Sequence, residues 1–188
     1  MRNNFGKFVP LTLVLLFSFG CASLPPVNFS VPNIGVSSTK LDAELKSLTV
    51  SIARPDEDAG EIDPGIGTHT GSWKTALEEA FNRMVIFKDD SPRKVTLAVK
   101  ILKFNNRPLF WIAHTSARYE IIDRSSGSII FTTDISASGV VPFDYAFNGL
   151  VRIHESINRS VQKNIIQFLQ VLETVDMDKP MFSSNKIN

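Results

Sequence analysis

Alternation and helical period divide the chain into six elements. Between Leu45 and Ala53, the apolar Leu48, Val50 and Ile52 alternate with Thr49 and Ser51, the period of a half-buried strand. Trp73, Ala76, Leu77, Ala80, Phe81, Met84 and Val85 then fall at i, i+3, i+4, i+7, i+8, i+11 and i+12, which predicts a helix with one apolar stripe. Lys74, Glu78, Glu79, Asn82 and Arg83 take its other side, and Ser72 is the expected N-cap. Val95, Leu97, Val99 and Ile101 alternate with Thr96, Ala98 and Lys100 to give a second strand. Ala117, Tyr119 and Ile121 mark a third within Thr115 to Asp123, and Ile129, Phe131, Ile135 and Ala137 a fourth within Ser128 to Ala137. The short link Arg124-Ser125-Ser126-Gly127 joins these two as an antiparallel hairpin. From about Tyr145 to Val175, Leu150, Ile153, Ile157, Val161, Ile165, Phe168, Leu169 and Leu172 keep a spacing of three or four. Arg152, Glu155, Arg159, Gln162 and Lys163 lie opposite.

The order β-α-β-β-β-α predicts an α+β fold: a two-layer sandwich in which a four-stranded, mainly antiparallel sheet carries two helices on one face. A last helix of about 28 residues would reach about 40 Å, so it should cross the sheet and overhang it. The stretch from Arg54 to Gly71 contains Pro55, Gly60, Pro64, Gly65 and Gly67 with Asp56, Glu57, Asp58, Glu61 and Asp63, and reads as a mobile acidic loop. The outer sheet face, mixing Thr, Ser, Lys and Arg with a few apolar residues, is open to solvent or a partner.

The N-terminal pattern is of another kind. Arg2 and Lys7 precede an apolar run from Phe8 to Phe19. As a helix this run would cover about 18 Å, short of the roughly 30 Å of hydrocarbon in a bilayer, so it reads as a signal peptide over residues 1–20. Cys21, the only cysteine, stands where the run ends. Ala22 to Thr39 holds Pro25, Pro26 and Pro32 with four serines, and residues 21–39 therefore read as a flexible tether. A single domain over 40–176 and a disordered tail over 177–188 complete the division.

Charge and cysteine content narrow the chemistry. The 188 residues carry 20 Lys and Arg against 19 Asp and Glu, with no basic tract, so nucleic acid is not expected as a partner. Removal of residues 1–20 takes away Arg2 and Lys7 and no acid, leaving a net charge of −1. A lone cysteine leaves no intrachain disulfide and no cysteine-based zinc site. His69, His114 and His154 are scattered over a loop, a strand start and the apolar stripe of the last helix, without metal-ligand spacing. The acids between Asp56 and Asp63 lack the spacing of an EF-hand loop, no serine sits in a G-x-S-x-G elbow, and Gly65-Ile66-Gly67 does not continue into a phosphate loop. No enzyme activity, cofactor or metal is expected.

Candidate binding residues are Leu109, Phe110, Trp111 and Ile112, four large apolar side chains in succession after the turn-forming Asn105-Asn106-Arg107-Pro108. Either they form an exposed docking patch, with Trp111 as its anchor, or Phe110 and Ile112 open the third strand and face the core. Val140 to Phe143 and Tyr145 to Phe147 pose the same choice, and can belong to the same surface.

Ser18-Phe19-Gly20-Cys21 resembles the lipobox of bacterial lipoproteins, in which a signal peptidase cuts before a cysteine that receives acyl chains. It departs from the family pattern at Ser18, where Leu is preferred, and at Phe19, where a small residue is preferred. The resemblance implies lipidation of Cys21, and anchoring through acyl chains at about 0.8 kcal/mol per buried CH₂. Ala22 in place of an aspartate implies, by the enteric pattern, the periplasmic face of the outer membrane. With the tether and the β-α-β-β-β-α order, the chain is similar to small Gram-negative envelope lipoproteins: the lipopolysaccharide-assembly lipoprotein LptE, the YajG-type lipoproteins and the auxiliary lipoproteins of lipid-trafficking ABC systems. That group implies a non-enzymatic accessory or adaptor in envelope assembly or lipid transport, with an envelope protein as partner. A periplasmic module carrying lipid or glycan between sheet and helices is the alternative, and a cryptic envelope enzyme a third.

Overall fold

The computed structural model describes residues 24, 26–54, 56–57 and 60–179. Its elements are β1 (Glu44–Ile52), α1 (Thr70–Met84), β2 (Lys94–Arg107), β3 (Ile112–Asp123), β4 (Ile129–Val140) and α2 (Gly149–Leu172). The strands stand in the order β1-β2-β3-β4. β1 runs parallel to β2 because α1 carries the chain back across the sheet between them, while β2, β3 and β4 form an antiparallel meander. Both helices cover one face, α1 over β1 and α2 over β3 and β4, so the molecule is the expected α+β sandwich.

The α1 stripe is laid down by Trp73, Ala76, Leu77, Ala80, Phe81 and Met84, all buried. Two details differ from the expectation. The helix starts at Thr70 rather than after Ser72, because the preceding 3₁₀ turn over Pro64–His69, capped by Asp63, feeds directly into it. Val85 leaves the stripe: it is the C-cap, in the left-handed conformation at φ 50°, and faces outward.

Aromatic rings pack the centre between sheet and helices. Tyr119 stacks on Phe168 with ring centroids 3.9 Å apart, and Phe168 meets Phe81 edge-on across the two helices. Burial pushes the Tyr119 phenol far above its ordinary range, and its hydroxyl donates to Asn164 Oδ1 at 2.7 Å. Asn164 Nδ2 in turn donates to Ile135 O at 2.8 Å, and Ser160 Oγ donates to Thr115 Oγ1 at 3.0 Å. Ser156, Ser160 and Asn164 thus form a buried polar row at i, i+4, i+8. This row faces the sheet, so α2 is rotated from the expected stripe and Leu150 is left exposed. Small residues allow the approach: a Cβ on Gly139 would overlap the backbone of Ser156 and lie 2.5 Å from Ser160 N.

The outer sheet face is a polar lattice. Arg118 and Asp134, opposite one another across β3 and β4, pair through two bonds of 2.7 and 2.8 Å, beside Ser116 with Ser136 and Ser47 with Thr96.

Two stretches expected to be mobile are pinned. Residues 60–63 continue the sheet beyond the end of β1, with Gly60 N donating to Leu102 O, Phe104 N to Glu61 O and Asp63 N to Phe104 O at 2.8–3.0 Å, while Ile66 is buried. From residue 28 onward the tether reading of 21–39 gives way, because Phe29 and Val31 are core residues; residues 21–23 and 25 lie outside the described residues. Asn28 N donates to Asn158 Oδ1 at 3.0 Å, Gln162 Nε2 donates to Asn28 O and Ser30 O at 3.1 Å, and Ser37 Oγ donates to Glu173 Oε1 at 2.7 Å. Residues 28–37 therefore run along α2 from Asn158 towards Glu173, and the packed domain begins well before residue 40. Met177 is buried as well, so the domain also extends slightly past 176.

Candidate functional site

Strand pairing assembles one end of the sandwich. β2 is longer than its apolar alternation indicates, because Asn105 to Arg107, read from sequence as turn-forming, stay paired with β3 as far as Arg107 opposite Ile112. Ile112 in turn stands opposite Val140, the last residue of β4. The β2–β3 turn and the β4–α2 loop consequently lie side by side, joined by a bond from Val141 N to Trp111 O at 3.2 Å.

The β2–β3 turn is a single 3₁₀ turn over Pro108–Phe110, with proline where its fixed φ suits the first turn. It ends on Trp111 at φ 52°, ψ 41°. For a bulky side chain the left-handed region is strained by about 1–2 kcal/mol. The surrounding contacts hold it there. The Arg152 guanidinium carbon lies 4.0 Å from the centre of the Trp111 ring and 4.4 Å from that of Phe143, and Arg152 Nη1 donates to Phe143 O at 2.7 Å. The first turn of α2 presses on the indole edge so closely that a Cβ on Gly149 would sit 2.9 Å from Trp111 Cη2. Asn148 caps the helix at this point through Leu150 N, at 2.9 Å. A second cation contact, Arg159 over Tyr145 at 5.1 Å, braces the β4–α2 loop.

Arg152 is only 5% exposed. Among the described residues no carboxylate pairs with it, and its Nε has no hydrogen-bond partner. Sequence periodicity assigned it to the polar face of α2; its place is under the two loops.

The four candidate residues divide. Leu109 is 86% exposed and Phe110 65%, whereas Trp111 and Ile112 are half-buried. Trp111 is thus the floor of the patch rather than its protruding anchor. From the neighbouring loop Phe143 is 78% exposed and Phe147 105%, with Val140, Tyr145 and Leu150 also outward. Seven large apolar side chains from the two loops and their flanks share one end of the molecule. Cys21 lies outside the described residues.

The other candidate groups are occupied within the domain. Glu57 accepts from Lys100 Nζ at 2.7 Å and Asp63 from Gly65 N at 3.1 Å, while Asn105 Nδ2 donates to Glu61. Asp58 is outside the described residues. His114 Nδ1 and Ser138 Oγ share a bond of 2.7 Å. His69 meets the Phe29 ring edge-on, and burial, helped by nearby His154, holds its pKa below the ordinary value. Among the described residues no group of three or more His, Cys, Asp or Glu side chains is placed to hold a metal, and no helix is long and apolar enough to cross a membrane.

No family model and no curated protein sequence matches the chain. Similar folds occur among solved structures. A Xanthomonas campestris protein of the DUF330 family matches with TM-score 0.50 at 11% identity, over 81% of this chain and 95% of that one. The minor lipoprotein of Acinetobacter baumannii matches with TM-score 0.34 at 13% identity, over 69% and 91%. Lipoprotein GNA1162 of Neisseria meningitidis matches with TM-score 0.31 at 7% identity, over 71% and 99%. What the chain has in common with the Xanthomonas protein is its fold.

Proposed function

We propose that the chain is an outer-membrane lipoprotein of the periplasmic face, acylated on Cys21, that serves as a non-enzymatic accessory or adaptor in envelope assembly or lipid transport. The observation that carries this reading is the apolar end. Leu109, Phe110, Phe143 and Phe147 project from two braced turns, as expected of a protein that works by contact. The Tyr119 and Phe168 stack, which packs the centre between sheet and helices, favours this reading over a carrier that holds lipid or glycan there.

Metabolic labelling with a clickable fatty acid, followed by membrane fractionation, tests the anchor. Labelled protein in the outer-membrane fraction, with Cys21→Ser unlabelled and released to the periplasm, is the expected result. Undiminished labelling of Cys21→Ser would overturn it. Crosslinking in the native envelope then tests the adaptor role: an envelope transport or assembly protein should be recovered with the wild-type chain.

A further inference from the structure

Residues 28–37 run along α2 from Asn158 to Glu173, so traced towards the N-terminus the chain heads for the start of α2, where the apolar end lies. From Asn158 to Leu150 is about 12 Å along the helix axis. Residue 21 is seven residues before Asn28, a reach of at most about 23 Å. The described chain thus leaves the domain heading for the end that carries Leu109, Phe110, Phe143 and Phe147, and the length up to residue 21 is enough to reach it.

We propose that this end is a bilayer-contact surface, seated in the lipid–water interface of the membrane that carries the anchor. The orientation rests on the reading that Cys21 is acylated. The chemistry of the surface fits an interface: large apolar side chains outermost, with the amphipathic Tyr145 and Trp111 behind them. Charges are few: Arg107 and Asp144 are exposed on the two loops and balance one another, while Arg152 beneath them is buried. The full exposure of Phe147 suits a bilayer. A protein hot spot needs a matching pocket for such a side chain, whereas fluid acyl chains close around it unaided.

The test uses the chain from residue 21 onward with Cys21→Ser, which keeps every described residue and removes the acyl chains. It is mixed with vesicles of phosphatidylethanolamine and phosphatidylglycerol, with and without lipids brominated on the acyl chains. The expected result is flotation with the vesicles and quenching of Trp111 fluorescence by the brominated lipid, Trp73 being sealed in the core. Phe110→Ser and Phe147→Ser should each weaken vesicle binding by about tenfold, the partition value of one inserted aromatic ring, while melting temperatures stay unchanged. Absence of flotation, or binding indifferent to both substitutions, would overturn the proposal. So would crosslinking through Phe147 to an envelope protein by a chain that ignores vesicles, which would assign the surface to a protein. The anchor fails separately: an unmodified Cys21 in the exported protein, read by mass spectrometry, overturns acylation whatever the vesicles show.

Discussion

The guanidinium of Arg152, on the first turn of α2, lies 4.0 Å from the centre of the Trp111 ring at the opposite loop. One buried cation thereby fixes two turns of different origin, the second through Phe143. A desolvated cation–aromatic contact is worth about 2 kcal/mol, and Arg152→Ala should lower unfolding stability by about that amount or slightly more. Arg152→Lys, which keeps charge but not the planar stacking group, should recover only part of the loss. Urea titrations of the two variants provide the measurement, and equal stability of Arg152→Ala and wild type would show that the stack bears no energy.

Gly139 and Gly71 should respond to alanine in opposite directions. A methyl group at 139 would overlap the backbone of α2 at Ser156, forcing helix and strand apart, so Gly139→Ala should destabilise by at least about 3 kcal/mol. Gly71 has open space around it in the first turn of α1, and alanine there should stabilise by about 0.5–1 kcal/mol through helix propensity. Thermal melts of the pair give the two signs directly.

Phe29 tests where the domain begins. It is buried against the rings of Trp73 and His69, so Phe29→Ala should remove about 3–5 kcal/mol, whereas Val36→Ala, on an exposed position of the same segment, should change little. A chain that starts at Thr39 loses both Phe29 and Val31 and should melt well below one that starts at residue 24. Identical melting curves would return this segment to the role of a free tether.

Acid should loosen the contact between the acidic segment and the sheet. The hydrogen bond from Lys100, with a backbone bond from Arg54, lowers the Glu57 pKa from 4.5 to about 2. Because the folded-state value is the lower one, this stabilisation is present above the unfolded value and is lost as pH falls through the folded one. Melting temperature should fall over that window in the wild type, and Lys100→Met should flatten part of the slope. Asp42, Glu44 and Asp123 are shifted in the same direction and should leave the remainder.

Where apolar residues set the period, the sequence was a sound guide: the α1 stripe from Trp73 to Met84 and the alternation in β2 and β3 stand as read. The reading failed where burial is polar. Arg152, Ser156, Ser160 and Asn164 repeat every four residues on the inner face of α2, and hydrophobic period assigns such a row to solvent. Their partners, Phe143 O, Thr115 and Tyr119, come from other elements, so no local pattern announces them. The pairing of 60–63 with β2 was hidden in the same way, since a segment of glycine and acids reads as loop until a strand edge is beside it. At the apolar end the run Leu109 to Ile112 was visible, but not its division into protruding and supporting residues. That division follows from the left-handed turn at Trp111 and from a glycine at 149, which acts from 38 positions away.

The course of residues 28–37 along α2 also decides how the domain meets mechanical load. Tension applied at residue 24 and directed past the start of α2 pulls nearly parallel to the helix axis. The bonds of Asn28 and Ser30 to Asn158 and Gln162 are then strained together rather than one after another. Phe29 and Val31 would have to slide out of the core at the same moment. A pull away from the helix layer would instead peel the segment bond by bond. The strap is therefore strong along the direction of its own exit and weak across it, and the domain resists a pull along α2 better than lateral stripping.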